Sequence, residues 1–315
     1  MTGCVKIILK NKRSLKPADT FYIMQIIDGK KVAVEIKEEL KKEISKLKQS
    51  GKKVPGLVAI LVGDNHASQI YVKSKGKACE QIGILSKTEI LPADTTEEEL
   101  LNLVNKYNKD SNFHGILVQL PLPAHINEDK IIESINPEKD VDGFHPVNVG
   151  RLVIGKDALR SCTPAGIQEL LKRYKIETKG KHVVIVGRSN IVGKPIANIM
   201  VQKEEFANSI VTVCHSAAED LSYFTKQADI LISAIGKAEF ITKDMVKEGV
   251  VIIDVGINRV EDASKKNGYR VVGDVDFNAI SQKCSYITPV PGGVGPMTIA
   301  MLLKNTFKAY QKFGG

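Results

Sequence analysis

The sequence contains no tryptophan, few cysteines and no apolar stretch long enough to cross a membrane. Its five cysteines are scattered and never form Cys-x-x-Cys, which disfavours a zinc site and indicates a reducing compartment. The longest apolar stretches, residues 57–62 and 183–186, are far shorter than the roughly 20 residues of a membrane-spanning helix. We therefore expect no metal ligands and no membrane segment.

Basic residues are in modest excess, and the excess is uneven along the chain. The formal net charge is +9 over 315 residues, and residues 1–23 hold five lysines and arginines against one aspartate. The rest of the chain is therefore only mildly basic. Because the signatures of nucleic-acid-binding modules are absent, this charge favours small polyanionic ligands over nucleic acid as partners.

Residues 1–23 precede the first regular pattern in the chain. We interpret them as an N-terminal extension of a cytoplasmic protein, and we expect this extension to be disordered. A basic transit peptide, which would place the protein in mitochondria, is the alternative. Only Ser14 and two threonines accompany the charges, and no apolar segment follows, so the transit peptide is disfavoured.

Short β-branched runs alternate with amphipathic helical stretches, which is the pattern of parallel α/β sheets. In a first domain we predict strands at residues 56–62 and 113–119 and a helix at 68–82. Thr96 and Glu99 form a capping-box pattern that predicts a further helix. In a second domain we predict one doubly wound sheet, with strands at residues 181–187, 209–214, 229–234 and 250–256.

A helix start after residue 160 marks the predicted domain junction. Thr163 is the predicted N-cap, and Pro164 is the predicted first helical residue. We predict domains at residues 24–162 and 163–290. Residues 291–315 are predicted to form a loop and a helix, over about 298–313, that returns to the first domain.

Tyr71 and Lys75 lie four residues apart in a predicted helix, well before the candidate nucleotide-binding loop. Residues at i and i+4 share one helix face, so an aromatic ring and an ammonium would enter one cleft together. Short-chain dehydrogenases have the same spacing, but there the dinucleotide fold comes first, and the reverse order here disfavours that class. Taken alone, the pair is also compatible with a solvated, lysine-rich helix face.

The segment Gly187-Arg-Ser-Asn-Ile-Val-Gly193 follows a predicted strand and opens a predicted helix, the context of a dinucleotide-binding loop. It departs from Gly-x-Gly-x-x-Gly, because Ser189 replaces the second glycine and the last glycine comes one residue late. An ordinary strand-to-helix turn is the alternative. If the loop binds a nucleotide, Gly187, Arg188 and Ser189 are its candidate contacts.

The next predicted strand is followed by His215 and Ser216, where NAD-specific folds usually place an acid. An acid there would repel a 2′-phosphate, whereas His215, Ser216 and Arg188 can donate hydrogen bonds to it. We therefore favour NADP over NAD, although the nearby Glu219 and Asp220 oppose this preference.

Three further features indicate a ligand site in the first domain. Gln119 stands at the carboxyl end of a predicted strand, where open α/β sheets bind ligands. Asp142 is a candidate acceptor for paired N–H donors of a heteroaromatic ring, or else a turn acid that caps backbone amides. The segment Pro291-Gly-Gly-Val-Gly-Pro296 suits close backbone approach to a flat ligand.

Together these motifs resemble the methylenetetrahydrofolate dehydrogenase/cyclohydrolase family. The resemblance runs in order from about residue 24 to about residue 313, and it rests on five motifs: Tyr71-x-x-x-Lys75, Val118-Gln-Leu-Pro-Leu-Pro123, Lys139-Asp-Val-Asp-Gly-Phe144, Gly187-Arg-Ser-x-Ile-Val-Gly193 and Pro289-Val-Pro-Gly-Gly-Val-Gly-Pro-Met-Thr298. The resemblance implies an α/β catalytic domain followed by a Rossmann-like NAD(P)-binding domain. It implies oxidation of methylenetetrahydrofolate with NADP, then hydrolysis of the methenyl product to formyltetrahydrofolate.

The resemblance also implies roles for individual residues of the folate site. Lys75 would handle the protons of hydrolysis, and Gln119 would hold it in position. Tyr71 would stack on the aminobenzoate ring, and Asp142 would bind the pterin N–H groups. The rest of the folate cleft would be shaped by Leu120, Pro291 and Gly292.

Cofactor contacts are implied for Thr163, Gly187, Arg188, Ser189, His215, Ser216, Ile257 and Thr298. One departure from the family is Ser216-Ala-Ala, where a basic residue often follows His-Ser, and this bears on the strength of the NADP preference. The family further implies a homodimer formed through the nucleotide domain.

Three alternatives remain open at this stage. A generic NAD-linked hydroxy-acid dehydrogenase would need an Arg and His pair and an acid after the second strand, and neither is evident. A non-catalytic nucleotide-binding or RNA-binding regulator would leave Lys75, Gln119 and the glycine segment without a role. A dehydrogenase that lacks the hydrolase step is disfavoured by the same lysine and glutamine. A formate-ligase domain is excluded by length.

Overall fold

A computed structural model of the chain describes residues 24–265 and 268–313. The predicted extension at residues 1–23 lies outside these ranges. The strands are β1 (Gln25–Ile26), β2 (Gly56–Val62), β3 (Leu85–Leu91), β4 (Gly115–Val118), β5 (His182–Val186), β6 (Ile210–Cys214), β7 (Ile230–Ser233), β8 (Val251–Asp254), β9 (Asn258–Glu261), β10 (Tyr269–Val272) and β11 (Tyr286–Ile287). The helices are α1 (Gly29–Gln49), α2 (His66–Ile82), α3 (Glu97–Lys109), α4 (Glu128–Ser134), α5 (Pro146–Val153), α6 (Cys162–Arg173), α7 (Gly193–Met200), α8 (Leu221–Thr225), α9 (Phe277–Ile280) and α10 (Val294–Phe313), with a short 3-10 turn at Lys243–Met245.

The first domain is built on a parallel sheet with strand order β3-β2-β4. Strand β2 is buried along its whole length, as its apolar run predicts. Helix α2 begins two residues earlier than predicted because the Asn65 side chain accepts a hydrogen bond from the Ser68 amide at 3.0 Å. The predicted capping box of Thr96 and Glu99 is present at the start of α3.

The second domain contains a six-stranded parallel sheet with strand order β1-β11-β8-β7-β5-β6. Strands β5 to β8 lie within the predicted ranges. The first described strand, β1, also joins this sheet by pairing with β11. The chain order reverses beside β5, so β5 and β7 flank the switch point at which doubly wound sheets bind ligands.

The domain junction differs from its prediction at Thr163. Helix α6 has Ser161 as its N-cap, so Thr163 and Pro164 lie inside the first turn. The Ser161 hydroxyl donates to the Ile191 carbonyl at 2.8 Å instead of capping the helix, and in this way ties the junction to the nucleotide loop. The prediction of Thr163 as N-cap is therefore wrong.

Helix α10 joins the two domains. It packs against α1 and α6, and it also contacts α2, β2 and β4, so the C-terminal helix returns to the first domain as predicted. One buried apolar cluster contains Ile36 of α1, Leu170 of α6 and Leu302 of α10. Because both sheets contribute to that cluster, the core sets the geometry of the cleft between them.

A charged contact reinforces this packing at the surface. The Arg173 guanidinium of α6 donates to both carboxylate oxygens of Glu39 on α1, each at 2.7 Å, and to Glu169 at 2.8 Å. Lys304 of α10 also binds Glu169, at 3.0 Å. The three helices are thus linked by one ion-pair network. Among the described residues, no helix is long and apolar enough to span a membrane.

Candidate active site

Lys75 and Gln119 are brought together from elements that are far apart in the chain. Lys75 lies in the third turn of α2 and is only 8% exposed. Its ammonium donates to Gln119 Oε1 at 3.0 Å. Gln119 directly follows β4, and its own amide donates to the Leu120 carbonyl at 2.7 Å, which orients the side chain. A buried lysine is thus held at the carboxyl edge of the first sheet.

Tyr71 lies one turn before Lys75 on α2. Unlike the lysine, it is 51% exposed, so its ring is available on the open side of the cleft. The pair therefore does not form a uniformly solvated helix face, because the charged member is the buried one. This arrangement suits a ring that stacks on a ligand beside a lysine that reaches into the interior.

Asp140 and Asp142, which lie in the segment after α4, have different roles. Asp140 accepts hydrogen bonds from the Gly143 amide at 3.1 Å, the His145 amide at 2.9 Å and the Asn148 side chain at 2.9 Å. Asp142 accepts none from the residues that the structure describes. The turn-capping role considered for Asp142 therefore belongs to Asp140, and the Asp142 carboxylate remains available for a ligand.

Asp142 is electrostatically coupled to Lys75. Burial raises the pKa of the Asp142 carboxyl above its ordinary value, the Lys75 ammonium acts in the opposite direction, and the neighbouring Asp140 carboxylate raises the pKa further. A half-buried carboxylate without a hydrogen-bond donor costs stability when it is ionised. Such a group is better suited to a ligand than to stabilising the fold.

The predicted site loop at Pro291 and Gly292 lies against the start of α1. Gly292 has φ of +114°, in the region that favours glycine, and its carbonyl accepts from the Lys30 amide at 3.0 Å. A Cβ on Gly29 would lie 1.7 Å from the Gly293 carbonyl oxygen, so this close approach requires glycine. Helix α10 begins at Val294, four residues before its predicted start, and Thr298 therefore lies inside it.

The nucleotide loop depends on its two terminal glycines. Gly187 has φ of +130°, and a Cβ there would lie 2.3 Å from the Ala234 carbonyl oxygen. A Cβ on Gly193 would lie 2.2 Å from the Gly187 carbonyl oxygen. The late glycine of the motif therefore lets α7 start directly against the loop. The Ser189 hydroxyl accepts from the amides of Val192 and Gly193 at 3.2 and 3.3 Å.

His215 lines a cleft of about 540 Å³ beyond the end of β6, together with Glu219, Asp220 and Tyr223. The Ala217 amide donates to His215 Nδ1 at 3.3 Å, so the neutral ring carries its proton on Nε2 and can donate there. Ser216 and Arg188 are exposed and lie outside the wall of this cleft.

The remaining predicted cofactor residues lie along the domain boundary. The hydroxyl oxygens of Thr163 and Thr298 are 3.1 Å apart, which joins α6 to α10. Ile257 follows β8 and is 58% exposed, and its side chain approaches the start of α10 near Gly295. Of these residues, Ile257 lies at the carboxyl edge of the second sheet, whereas Thr163 and Thr298 lie near the starts of α6 and α10.

Three buried polar residues escaped the sequence analysis. Asn305 of α10 donates to the carbonyls of Val141 and Arg160 at 2.8 and 2.9 Å, beside Asp142 and the domain junction. Asp254 and Asp274 accept backbone amides around the carboxyl edge of the second sheet. Burial raises the pKa of Asp254 to about 6, although those amides favour its charged form. The Asp-x-Gly at the end of β8 was the available signal for Asp254.

The chemistry of the described donors suits organic ligands. No group of three or more His, Cys, Asp or Glu side chains in the described part of the chain is arranged to hold a metal ion. The glycine loop, the first amides of α7 and the His215 donor fit the phosphates of a dinucleotide. Lys75, Gln119 and Asp142 supply one donor, one amide and one free acceptor to the neighbouring cleft.

Models of two domains of one protein family match the two parts of the chain. A model of the tetrahydrofolate dehydrogenase/cyclohydrolase catalytic domain matches residues 27–142, and a model of the NAD(P)-binding domain of the same family matches residues 161–313. "Bifunctional protein FolD" of Chloroherpeton thalassium is 62% identical over 292 residues, which cover 92% of this chain and 99% of that protein.

Solved structures give the same result. The bifunctional methylenetetrahydrofolate dehydrogenase/cyclohydrolase of Campylobacter jejuni is 53% identical with a TM-score of 0.86, over 92% of this chain and 99% of that one. The dehydrogenase-cyclohydrolase of Trypanosoma brucei, solved with NADP and an inhibitor, is 40% identical with a TM-score of 0.86, over 92% of this chain and 98% of that one.

Proposed function

This chain belongs to the tetrahydrofolate dehydrogenase/cyclohydrolase family, and we propose that its two reactions take place in one cleft between the two sheets. The enzyme oxidises methylenetetrahydrofolate to the methenyl form with NADP and then hydrolyses the methenyl form to formyltetrahydrofolate. The observation that supports this shared cleft is the buried contact between Lys75 and Gln119, with the free carboxylate of Asp142 beside it.

The experiment for the activity follows the methylene, methenyl and formyl folates in turn, first with NADP and then with NAD. We expect NADPH to appear with methylene loss and formyltetrahydrofolate to accumulate as the end product. Accumulation of the methenyl form would instead indicate a dehydrogenase without hydrolase. Reduction of NADP by a 2-hydroxy acid, and not by the folate, would indicate the generic dehydrogenase.

In the oxidation step, the protein mainly orients the reactants. When bound, NADP supplies the hydride acceptor. The folate nitrogens stabilise the cation that remains, so no side chain needs to move a proton. Tyr71 stacks on the aminobenzoate ring, and Asp142 accepts from the pterin N–H groups. Leu120, Pro291 and Gly292 shape the walls, and together these contacts hold the reacting carbon in place.

In the hydrolysis step, Lys75 handles the protons. Water adds to the methenyl carbon and gives one proton to the neutral Lys75 amine. The carbon–nitrogen bond then breaks, the departing ring nitrogen takes the proton back from the Lys75 ammonium, and the hydroxyl of the adduct releases its proton to solvent as the carbonyl forms. A cationic substrate beside the amine favours its neutral form. Gln119 keeps the amine aimed at the cleft, because its Oε1 already accepts from Lys75 at 3.0 Å.

For the cofactor, we propose contacts from the nucleotide loop and from the residues that follow β6. Gly187 and Ser189 border the first amides of α7, and His215 supplies a donor beyond the strand. Ser216 and Arg188 add donors for the 2′-phosphate. The remaining proposed contacts, along the domain boundary, come from Thr163, Ile257 and Thr298.

Arg188→Ala is expected to raise the KM for NADP about 10- to 100-fold, because a hydrogen bond to a charged group contributes about 1.5–3 kcal/mol. The KM for NAD should change little, since NAD lacks the 2′-phosphate. Matched NADP and NAD titrations of the dehydrogenase reaction measure the effect. Arg151→Ala, at an exposed arginine of α5, is the control. An unchanged ratio of the two KM values would exclude Arg188 as the 2′-phosphate donor.

We further propose a homodimer that forms through the second domain. Strand β6 is an edge of the six-stranded sheet, and it exposes Ile210 and Val213 at 64% and 40%. An edge strand with exposed apolar side chains is an unfavourable surface for a monomer and a favourable one for pairing with a second copy.

Ile210→Glu is therefore expected to yield monomers, because a charge on the edge strand opposes strand pairing. Sedimentation velocity of the full chain measures the mass. The matched control is Ile90→Glu, which places the same charge on β3, the exposed edge of the first sheet, where Ile90 is 65% exposed. A dimer that survives Ile210→Glu, or that is lost with Ile90→Glu, would contradict the proposed interface.

We also propose the division into residues 24–162, 163–290 and 291–315, with β1 of the first part completing the sheet of the second. A cytoplasmic location is proposed because the described cysteines, Cys79, Cys162, Cys214 and Cys284, are free and buried. Unpaired buried thiols are typical of proteins from reducing compartments.

A further inference from the structure

Asp254 and Asp274 are two buried carboxylates that the proposed chemistry does not use. Both lie at the carboxyl edge of the second sheet, and they are 3% and 0% exposed. Their oxygens are occupied by hydrogen-bond donors of the protein itself, most of them backbone amides. A pair of buried acids so completely bonded to amides has a role in holding backbone, and no metal need be invoked.

Asp274 fixes the loop after β7. Its Oδ2 accepts from the amides of Ile235 and Gly236 at 2.8 and 3.1 Å, and its Oδ1 accepts from the Lys237 amide at 3.0 Å. Three successive amides that converge on one point form an anion-binding nest, and the Asp274 carboxylate fills it. This loop begins at Ala234, whose carbonyl oxygen packs so closely against Gly187 of the nucleotide loop that a Cβ on Gly187 would lie 2.3 Å from it.

Asp274 also holds the loop after β8. Its Oδ1 accepts from the Asn258 side chain at 3.0 Å, and a Cβ on Gly256 would lie 2.2 Å from the same oxygen. Ile257 lies between these two residues. The Asp274 carboxylate therefore binds both the loop that packs against the nucleotide loop and the segment that carries Ile257.

Asp254 binds backbone amides of the loop after β8 and of the segment that carries Asp274. Its Oδ1 accepts from the amides of Gly256 and Asp274, both at 2.9 Å, and its Oδ2 accepts from the Val275 amide at 3.0 Å. A Cβ on Gly273 would lie 1.8 Å from Asp254 Oδ2, so glycine is required for this approach. Asp254 thus holds the backbone that carries Asp274, and Asp274 in turn holds the loop after β7 and the Asn258 side chain.

We propose that Asp254 and Asp274 are positioning residues for hydride transfer, which fix the two loops of the second domain that border the cofactor. This inference rests on the proposed function. Lys75 and Gln119 lie in the first domain, on α2 and directly after β4, and make none of these contacts, so the hydrolysis step does not depend on the two acids. The two activities of one enzyme should therefore respond differently to their loss.

Asp274→Asn is the decisive variant, because it keeps the volume but turns one acceptor oxygen into a donor that faces other donors. We expect the dehydrogenase kcat/KM to fall about 100-fold, the scale of a small misplacement of reacting groups. Cyclohydrolase, assayed from methenyltetrahydrofolate without nucleotide, should stay within about twofold of the wild type, below the effect of a single lost hydrogen bond. Asp254→Asn should act in the same direction, and the double variant should be less damaging than the product of the two, because the acids share contacts.

Asp229→Asn is the matched control. Asp229 also accepts a backbone amide, from His182 at 2.8 Å, and a lysine, Lys247 at 2.6 Å, but it lies at the amino end of the same sheet. Asp229→Asn should leave the ratio of the dehydrogenase activity to the cyclohydrolase activity unchanged. If Asp274→Asn does not fold, Asn258→Ser removes the single contact between Asn258 and Asp274. It should still lower the dehydrogenase selectively.

Equal losses of both activities in Asp274→Asn and Asn258→Ser, or no loss in either, would overturn the inference. Fluorescence titration with NADPH separates this result from a failure of the proposed function. NADPH binding does not require turnover. Weaker binding in Asp274→Asn but not in Asp229→Asn would support the positioning role even if the wild type did not oxidise the folate. Unchanged NADPH binding together with unchanged dehydrogenase would refute it.

Discussion

Lys75→Met is expected to abolish the cyclohydrolase while much of the dehydrogenase remains. Methionine keeps most of the length of the buried side chain but cannot accept the proton that water loses, and such proton transfers contribute about 10²- to 10⁴-fold to a rate. Hydride transfer needs orientation of the folate and not a proton acceptor, so it should be less affected. Separate assays from methylenetetrahydrofolate with NADP and from methenyltetrahydrofolate alone measure the two activities.

Lys73 and Lys77 provide matched controls for this substitution. Both are exposed lysines of the same helix, each two positions from Lys75. Lys73→Met and Lys77→Met should leave both activities intact. If Lys75→Met lowered both activities equally while the protein stayed folded by circular dichroism, the lysine would have a role in folate binding and not in proton transfer.

Asp142→Asn is expected to weaken folate binding in both reactions. An asparagine cannot present two acceptor oxygens to the pterin N–H groups, and the lost charged hydrogen bonds would cost about 1.5–3 kcal/mol each. The KM for each folate should therefore rise at least about tenfold, whereas the affinity for NADPH should be unchanged. If folate affinity and both rates survived, the assignment of Asp142 to the pterin would be wrong.

The same substitution should increase stability near neutral pH. Burial raises the pKa of Asp142 in the folded state, so the folded protein binds the proton more strongly than the unfolded chain does. The stabilising contribution of this group is then present at low pH and is lost as the pH rises through the folded pKa. Asparagine removes that loss, because it does not ionise.

Asp140→Asn should do the opposite, since Asp140 holds the amides of Gly143 and His145 and the side chain of Asn148. Thermal unfolding at pH 7 should show a higher melting temperature for Asp142→Asn and a lower one for Asp140→Asn. These opposite changes in melting temperature would indicate that Asp142 binds the ligand and that Asp140 stabilises the fold. A lower melting temperature for Asp142→Asn would contradict this division.

Most buried strands could be predicted from sequence because continuous β-branched runs that alternate with helical stretches are typical of the buried strands of a parallel sheet. Strand β2 is the clearest example, with seven residues buried from end to end. Strand β3 was not predicted, because its alternating residues include Lys87 and Glu89 and most of the strand is exposed at the sheet edge. Strands β9 and β10 form an exposed antiparallel pair and carry an equally weak signal.

Boundaries were less predictable than the elements themselves. Thr163 followed by proline resembles a helix start, but Ser161 takes that position and uses its hydroxyl to bind the Ile191 carbonyl instead. Local capping rules cannot reveal such a partner, which lies 30 residues away in the chain. The start of α10 differs from its prediction for a similar reason, because Gly295 and Pro296 in its first turn, just after Gly292 and Gly293, imitate a loop.

Only those site residues that belong to a recognisable sequence motif could be predicted. Tyr71 and Lys75 were placed on one face by helix geometry, and the resemblance joined Gln119 to them across 44 residues. Asp254, Asp274 and Asn305 could not be found in this way, because their importance comes from burial and from amides supplied by distant loops. A carboxylate that binds backbone looks the same in sequence as one on the surface.

The measurement that tests the single cleft most directly uses one folate analogue that cannot transfer its one-carbon unit. Its inhibition constant is determined for the dehydrogenase and for the cyclohydrolase of the same wild-type preparation, and again for Asp142→Asn. One shared cleft predicts equal constants for the two activities and a parallel increase in both on substitution. Constants that differ more than about tenfold, equivalent to about 1.4 kcal/mol, or an increase confined to one activity, would show that the two reactions use separate folate sites.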